Sequence, residues 1–285
     1  MACIKWQIAG SDDQLIYGSS DIPETGVETR GALLMAHGLM GYKDYGFLPY
    51  LGKRLCKALD FAVHRFNFSH SGMTHDYQRF EKLELFEKDN WGRQIEDFHA
   101  VDLALRQGRL PGGDQLGNRY WLGHSRGGLS AVLAADRSAL PPTGLICLSS
   151  PSSACNLDAS QIQRLKKSGG LGITSGRTGQ VLRTGRQWID AIEADGQGFD
   201  PLLALAAVVE PMRGRVLLIH GDQDTTVPSQ SMAKYQGACG GRCQTRLITG
   251  ANHVYNCVNP LDASQGVPQA LETLISAVSS FISKD

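Results

Sequence analysis

Three side-chain types that together perform nucleophilic acyl transfer occur along this 285-residue chain in the order serine, aspartate, histidine. Ser125 stands in Gly123-His124-Ser125-Arg126-Gly127, after a strand-like run at 118–122 and before a helix-like run at 128–135. The G-x-S-x-G spelling between strand and helix presents a serine on a strained tight turn, with Oγ held out and glycines where the two elements pass closely. By itself the pentapeptide says little, because 33 glycines and 22 serines give roughly 0.3 such matches by chance. Its weight comes from what accompanies it.

Serine attack needs a base for the hydroxyl proton, an acid to orient that base, and donors for the oxyanion. His253, in Gly250-Ala251-Asn252-His253-Val254, alone among the eight histidines follows the last strand-like run and precedes the terminal helix. Asp224, in His220-Gly221-Asp222-Gln223-Asp224-Thr225-Thr226-Val227-Pro228, lies 99 residues beyond the serine and 29 before the histidine. A carboxylate there would hold the Nδ1–H of His253 and stabilise the imidazolium formed during attack. Asp222 competes for that role, its alternative being turn formation at a strand end. The oxyanion donors are expected to be the backbone N–H of Arg126 and that of Leu39, in His37-Gly38-Leu39-Met40-Gly41. Backbone donation explains why glycines mark that loop, although His37-Gly38 alone would also read as a strand-ending turn. His124 reads as a packing residue beneath the turn, because neighbours on a tight elbow point apart. The Arg126 side chain is expected to form a surface ion pair, and His70 and His75 to be solvated in a loop at 69–77.

Positioning such groups is the work of the surrounding elements. Runs at 4–8 and 15–18 suggest a strand pair, and 31–36 is continuously apolar, as in a strand buried on both faces. Strand-like runs follow at 61–66, 144–148, 215–220 and 245–249; helical spacing marks 47–59, 91–106, 229–235 and 268–282. This alternation predicts a mostly parallel, doubly wound sheet with helices on both faces. Residues 151–210 break the rhythm with a Gly/Ser/Thr-rich stretch at 168–179, an amphipathic segment around Trp188, Ile189 and Ile192, and a short helix capped by Asp200 and Pro201. An excursion that long between sheet strands is expected to be a cap inserted into a core of 1–150 and 211–285. The glycines lack the Gly-Lys-Ser/Thr ending of a phosphate loop.

Composition narrows the partners. Lys+Arg and Asp+Glu balance at 28 each, without the basic face a nucleic-acid binder needs. No apolar run approaches the ~18 residues of a membrane span. The N-terminal residues do not read as a signal peptide, and the seven cysteines lack a disulfide-scaffold spacing, so a reducing cytoplasm is expected. Cys147 reads as a buried small hydrophobe, and Cys239-Gly-Gly-Arg-Cys243 as a loop without the second half of a metal site. Nothing in the sequence fixes an oligomeric state, although a homodimer built through an exposed cap fits it.

The arrangement His37-Gly38, Gly123-His124-Ser125-Arg126-Gly127, His220-Gly221-Asp222-Gln223-Asp224, Val227-Pro228 and Asn252-His253 resembles the α/β-hydrolase superfamily over about residues 31–282. Within it the chain is similar to small capped serine hydrolases, which include cinnamoyl/feruloyl esterases, monoacylglycerol-lipase-like enzymes and serine-aminopeptidase-like proteins. The resemblance implies the α/β-hydrolase fold, with Ser125 as nucleophile, Asp224 as acid and His253 as base. It also implies hydrolysis of a small to medium carboxylic ester through an acyl-enzyme, on a small-molecule acyl substrate, with neither metal nor organic cofactor. A peptidase, thioesterase or acyltransferase would use the same triad. One departure concerns the loop after 61–66, where such enzymes commonly spell aspartate before a glycine turn; Asn67 is expected to cap that turn here. Dienelactone-hydrolase relatives carry cysteine as nucleophile, unlike Ser125. Residues 160–186 carry Arg164, Lys166, Lys167, Arg177, Arg183 and Arg186 with no acidic residue, read as a solvated cap surface or else as a preference for carboxylate-bearing substrates.

Overall fold

The computed structural model describes residues 2–24, 26–112 and 118–283. Its centre is an eight-stranded sheet built from β1 (Ala2–Ala9), β2 (Leu15–Ile22), β3 (Gly31–Ala36), β4 (Phe61–Phe66), β5 (Asn118–His124), β6 (Gly144–Leu148), β9 (Val216–Gly221) and β10 (Gln244–Ile248). The strand order is β1-β2-β4-β3-β5-β6-β9-β10. β2 pairs antiparallel with both β1 and β4, and every other neighbouring pair is parallel. The expected doubly wound, mostly parallel arrangement is therefore present.

Alternation along the inner strands explains why helices cover both faces. In β3, Leu33 and Met35 pack with α1 (Leu48–Leu59) and α9 (Gln269–Ile282), whereas Ala32, Leu34 and Ala36 face the opposite core. That second core contains α3 (Trp91–Arg106), α4 (Arg126–Asp136) and α7 (Pro201–Val208). β5 divides in the same way, with Tyr120 and Leu122 on one side and Trp121 on the other. A strand with period-two side chains and apolar residues at every position must be covered twice.

Chain order along the sheet locates the site. From β3 the chain steps to β4 on one side, then crosses to β5 and runs on through β6, β9 and β10 on the other. β3 and β5 are adjacent and parallel, with Ala36 opposite Gly123, so the loops leaving their carboxyl ends diverge from one crevice. Open α/β sheets bind ligands at such a switch point. Both the Gly38 loop and Ser125 lie there.

The excursion between β6 and β9 holds more regular structure than its composition suggests. It forms α5 (Ala159–Ser168), a hairpin of β7 (Gly170–Thr174) and β8 (Val181–Gly185), α6 (Gln187–Ala194), and α7. The Gly/Ser/Thr-rich stretch is thus largely a strand and its turn, separate from the main sheet. Asp200 caps α7 as expected, accepting from the amides of Leu202 (2.8 Å) and Leu203 (3.3 Å). α2 (Leu83–Lys88), too short and too charged to show a periodic signal, precedes α3. α8 (Gln230–Ala238) follows β9. No helix among the described residues is long and apolar enough to cross a membrane.

Candidate active site

Ser125 joins β5 to α4 with φ +54° and ψ −125°, a conformation that costs a residue with a side chain on the order of 1–3 kcal/mol. The turn is held by Ser125 N–H donating to Leu148 O (2.7 Å) and Gly128 N–H donating to Ser125 O (3.0 Å). The glycines of the motif are demanded by contact. A Cβ on Gly123 would lie 2.2 Å from the backbone of Gly127, and one on Gly127 would lie 2.4 Å from His37 O. Arg126 begins α4, so its amide is among those a helix leaves without an internal acceptor.

The loop after β3 runs against this turn. A Cβ added to Gly38 would sit 2.9 Å from Ser125 Cβ and 3.4 Å from its Oγ. Two donors pin the Gly38 carbonyl, His37 Nδ1–H at 2.8 Å and Gly41 N–H at 3.0 Å. C=O and N–H point opposite ways across a trans peptide, so anchoring the Gly38 carbonyl also fixes the direction of the Leu39 amide. The tautomer of His37 follows from its other nitrogen, because Nε2 accepts from Phe68 N–H (3.3 Å). Burial lowers the pKa of His37 to about 4, keeping it neutral.

Asp224 leaves the carboxyl end of β9 and His253 that of β10. Asp224 Oδ2 lies 2.8 Å from His253 Nδ1, while Oδ1 accepts from the amides of Thr226 and Val227, both at 2.9 Å. Burial opposes ionisation of Asp224, but hydrogen bonds from His220, His253 and Val227 N–H outweigh it and hold the carboxyl well below the usual range. Asp222, the competing carboxylate, is turned elsewhere and accepts from Gly250 N–H at 2.7 Å. Ser125 and His253 line one cavity of about 290 Å³, together with the 37–41 loop, Tyr45, Leu48 and Val254, and with Ser175, Gly176 and Arg177 from the turn between β7 and β8. Larger surface depressions of about 460 and 330 Å³ lie between β10 and α9, and neither is lined by Ser125, Asp224 or His253.

Two supporting histidines had no distinctive sequence signal. His124 is buried and donates from Nε2 to His253 O (2.9 Å), with its ring 4.8 Å from that of His253. Burial and the neighbouring His253 lower its pKa to about 3, so it is a neutral strut beneath His253 rather than packing alone. His220 Nε2–H donates to Val227 O (2.8 Å) and lies 3.3 Å from Asp224 Oδ2, bracing the carboxylate from the side opposite the amides. Each stands at a strand end, His124 beside Ser125 and His220 two residues before Asp222, and that placement does not say what the ring contacts.

Several expected environments differ. The Arg126 side chain is inside, stacked over Trp91 at 4.3 Å and 3.3 Å from Asp89, because α3 and α6 close over the start of α4. His70 is buried and bonded to Ser69 Oγ (2.9 Å), and His75 packs edge-on against Tyr17. His70 is therefore not solvated as expected, His75 is partly exposed, and neither lines the cavity. Because the Phe68 and Ser69 amides there donate to His37 and Asp97, Asn67 does not cap its own turn as expected. Its Oδ1 accepts from Lys43 N–H (2.6 Å) and its Nδ2 donates to Thr74 O (2.8 Å), tying together the chain after the 37–41 loop and the loop after β4. Cys147 and Cys239 are fully buried free thiols, and Cys243 is nearly so.

Solved structures of other proteins share the fold. Est1E from Butyrivibrio proteoclasticus superposes with a TM-score of 0.60 at 20% identity over 98% of both chains, and is also known with ferulic acid bound. The esterase domain of a Rhodothermus marinus protein gives 0.62 at 16% identity, covering 99% of this chain and 100% of that one. The alpha/beta hydrolase GrgF from Penicillium sp. sh18 gives 0.64 at 14% identity, covering 100% and 99%. At such identities the likeness establishes the fold. No curated protein sequence matches the chain significantly. The sequence profile described as the alpha/beta hydrolase family matches residues 33–264, and the chain therefore belongs to the α/β-hydrolase family.

Proposed function

We propose that the protein is a serine hydrolase that cleaves small to medium carboxylic esters through an acyl-enzyme. His253 Nε2 takes the Ser125 hydroxyl proton as Oγ attacks the ester carbonyl, and the imidazolium is stabilised by the Asp224 carboxylate at Nδ1. The carbonyl oxygen becomes an oxyanion and accepts from the amides of Leu39 and Arg126. Collapse expels the alkoxide, which takes the proton from His253, leaving an ester of Ser125. Water attacks this ester with His253 again as base, releasing the acid and restoring the serine hydroxyl. Each step uses groups of the chain itself.

The observation that carries this reading is the 2.8 Å contact between His253 Nδ1 and Asp224 Oδ2, with the imidazole and a positive-φ serine lining the same cavity. Residues 151–210 act in this reading as a cap, contributing Ser175 to Arg177 to the wall, and a cavity of about 290 Å³ suits small acyl groups. Hydrolysis of p-nitrophenyl acetate or butyrate should vanish in Ser125→Ala, and a fluorophosphonate should label Ser125. Activity surviving that substitution would overturn the assignment. Matched ester, thioester and amide substrates separate this reading from a peptidase, thioesterase or acyltransferase using the same triad.

A further inference from the structure

The cationic side chains of the excursion are not equivalent. Lys166 meets Glu193 at 2.7 Å, Arg183 meets Glu87 at 3.1 Å and Arg186 meets Asp190 at 3.2 Å. Arg177 alone among these four lines the cavity shared by Ser125 and His253. Among the described residues its polar partners are uncharged: Nη1 donates to the carbonyls of Tyr77 and Gln78, and Nη2 lies 3.7 Å from Met73 Sδ. Its Nε is buried without a partner. The guanidinium lies over Tyr42 at 4.8 Å and Phe80 at 5.2 Å, two buried rings that fix the plane without neutralising it. No Asp or Glu lines the cavity.

A formal positive charge on an otherwise uncharged, largely apolar wall, with no anion in contact, is incomplete electrostatically. A guanidinium held in place by aromatic faces suits a carboxylate, which accepts a charge-assisted hydrogen bond from it. We infer that Arg177 is a specificity residue that binds a carboxylate carried by the ester substrate, so that the preferred substrates are anionic esters. This rests on the proposed ester hydrolysis and narrows it. The carboxylate can sit on the acyl or the alcohol portion, and substrate pairs distinguish the two.

For the acyl side, monomethyl esters of dicarboxylic acids from succinate to suberate are compared with methyl esters of monocarboxylic acids of equal chain length. For the alcohol side, 4-carboxyphenyl butyrate is compared with phenyl butyrate. In the wild type, kcat/KM for the anionic member of at least one pair should exceed that of its neutral partner tenfold or more, with the difference in KM, and 0.5 M NaCl should shrink the ratio. Arg177→Met should bring the ratio to about one, and Arg177→Lys should retain a few-fold preference. A wild-type ratio at or below one in every pair overturns the inference without any variant. A ratio unchanged in Arg177→Met overturns it too, as does equal loss for both members, which marks a latch between the hairpin and the 73–80 segment. In each of those cases neutral esters are still cleaved by a Ser125-dependent route in the wild type. If no ester is cleaved and Ser125 is not labelled, it is the hydrolase reading that fails.

Discussion

Replacing Asp224 with asparagine separates orientation of the base from stability of the fold. The two oxygens of Asp224 have unequal surroundings. Oδ1 faces two amide donors at 2.9 Å, and Oδ2 faces His253 Nδ1 at 2.8 Å and His220 Nε2 at 3.3 Å. An asparagine must leave its carbonyl with the Thr226 and Val227 amides, because its NH2 group there would meet two N–H donors. The NH2 then confronts His253 Nδ1, which can satisfy it only by becoming an acceptor. The imidazole proton moves to Nε2, the nitrogen needed to receive the Ser125 proton. In a serine protease the corresponding change lowers kcat by roughly 10⁴ through this tautomer change, equivalent to about 5.5 kcal/mol of barrier. We expect a loss on the order of 10³–10⁴ in kcat/KM for p-nitrophenyl butyrate, a similar fall in the rate of fluorophosphonate labelling, and a Tm within a few degrees of the wild type. Asp222→Asn, whose partner is the Gly250 amide, should stay within a few-fold. A folded Asp224→Asn enzyme within tenfold of the wild type would refute the reasoning.

Other substitutions probe the supports. Gly38→Ala puts a Cβ 2.9 Å from that of Ser125 and should push the loop off the nucleophile, lowering kcat by on the order of 10² with the melting temperature little changed, checked by steady-state kinetics and calorimetry. His124→Phe removes the donor to His253 O and should cost about tenfold in kcat/KM, with partial recovery in His124→Gln. Acid should destabilise the fold steeply. Burial lowers the pKa values of His37 and His70 to about 4 and of His64 and His124 to about 3, so their contribution is present above the unfolded value of 6.5 and is lost as pH falls toward 4. Asp97, raised by burial to about 7, acts in the opposite sense, so these five groups together take up about three protons on unfolding near pH 5, or roughly 4 kcal/mol per pH unit, an effect that the raised carboxyls of Asp21 and Asp89 reduce. Urea midpoints that stay flat from pH 7 to pH 5 would contradict this.

Much of this architecture is legible in the sequence because β3 and β6 carry no polar side chain and the other inner strands are mostly apolar. The run at 31–36 and the helix at 91–106 coincide with β3 and α3, since continuous or periodic burial is written directly into residue type. The excursion was harder to read. β7 alternates glycines with partly buried Leu171 and Ile173 against a short hairpin partner, and there buried Leu182 adjoins exposed Val181, so apolar type does not mark which residue is the anchor. At the site, position after a strand end marks Ser125, Asp224 and His253, because loops at the carboxyl ends of parallel neighbours converge. What lies behind them does not show in spacing. The ring of His37 holds the Gly38 carbonyl, and His124 props the backbone of His253, through contacts that only the folded chain assembles. The burial of Arg126 likewise depends on α3 and α6 meeting over it.

The central claim is that Ser125 Oγ carries the acyl group during turnover. Mixing the enzyme with p-nitrophenyl butyrate, quenching with acid within the first turnovers and mapping peptides by mass spectrometry tests it directly. The account predicts a butyryl adduct on the peptide containing Ser125, formed at the rate of the p-nitrophenol burst and absent from Ser125→Ala. Turnover with the adduct on another residue, or an adduct on Ser125 that forms more slowly than product appears, would contradict it.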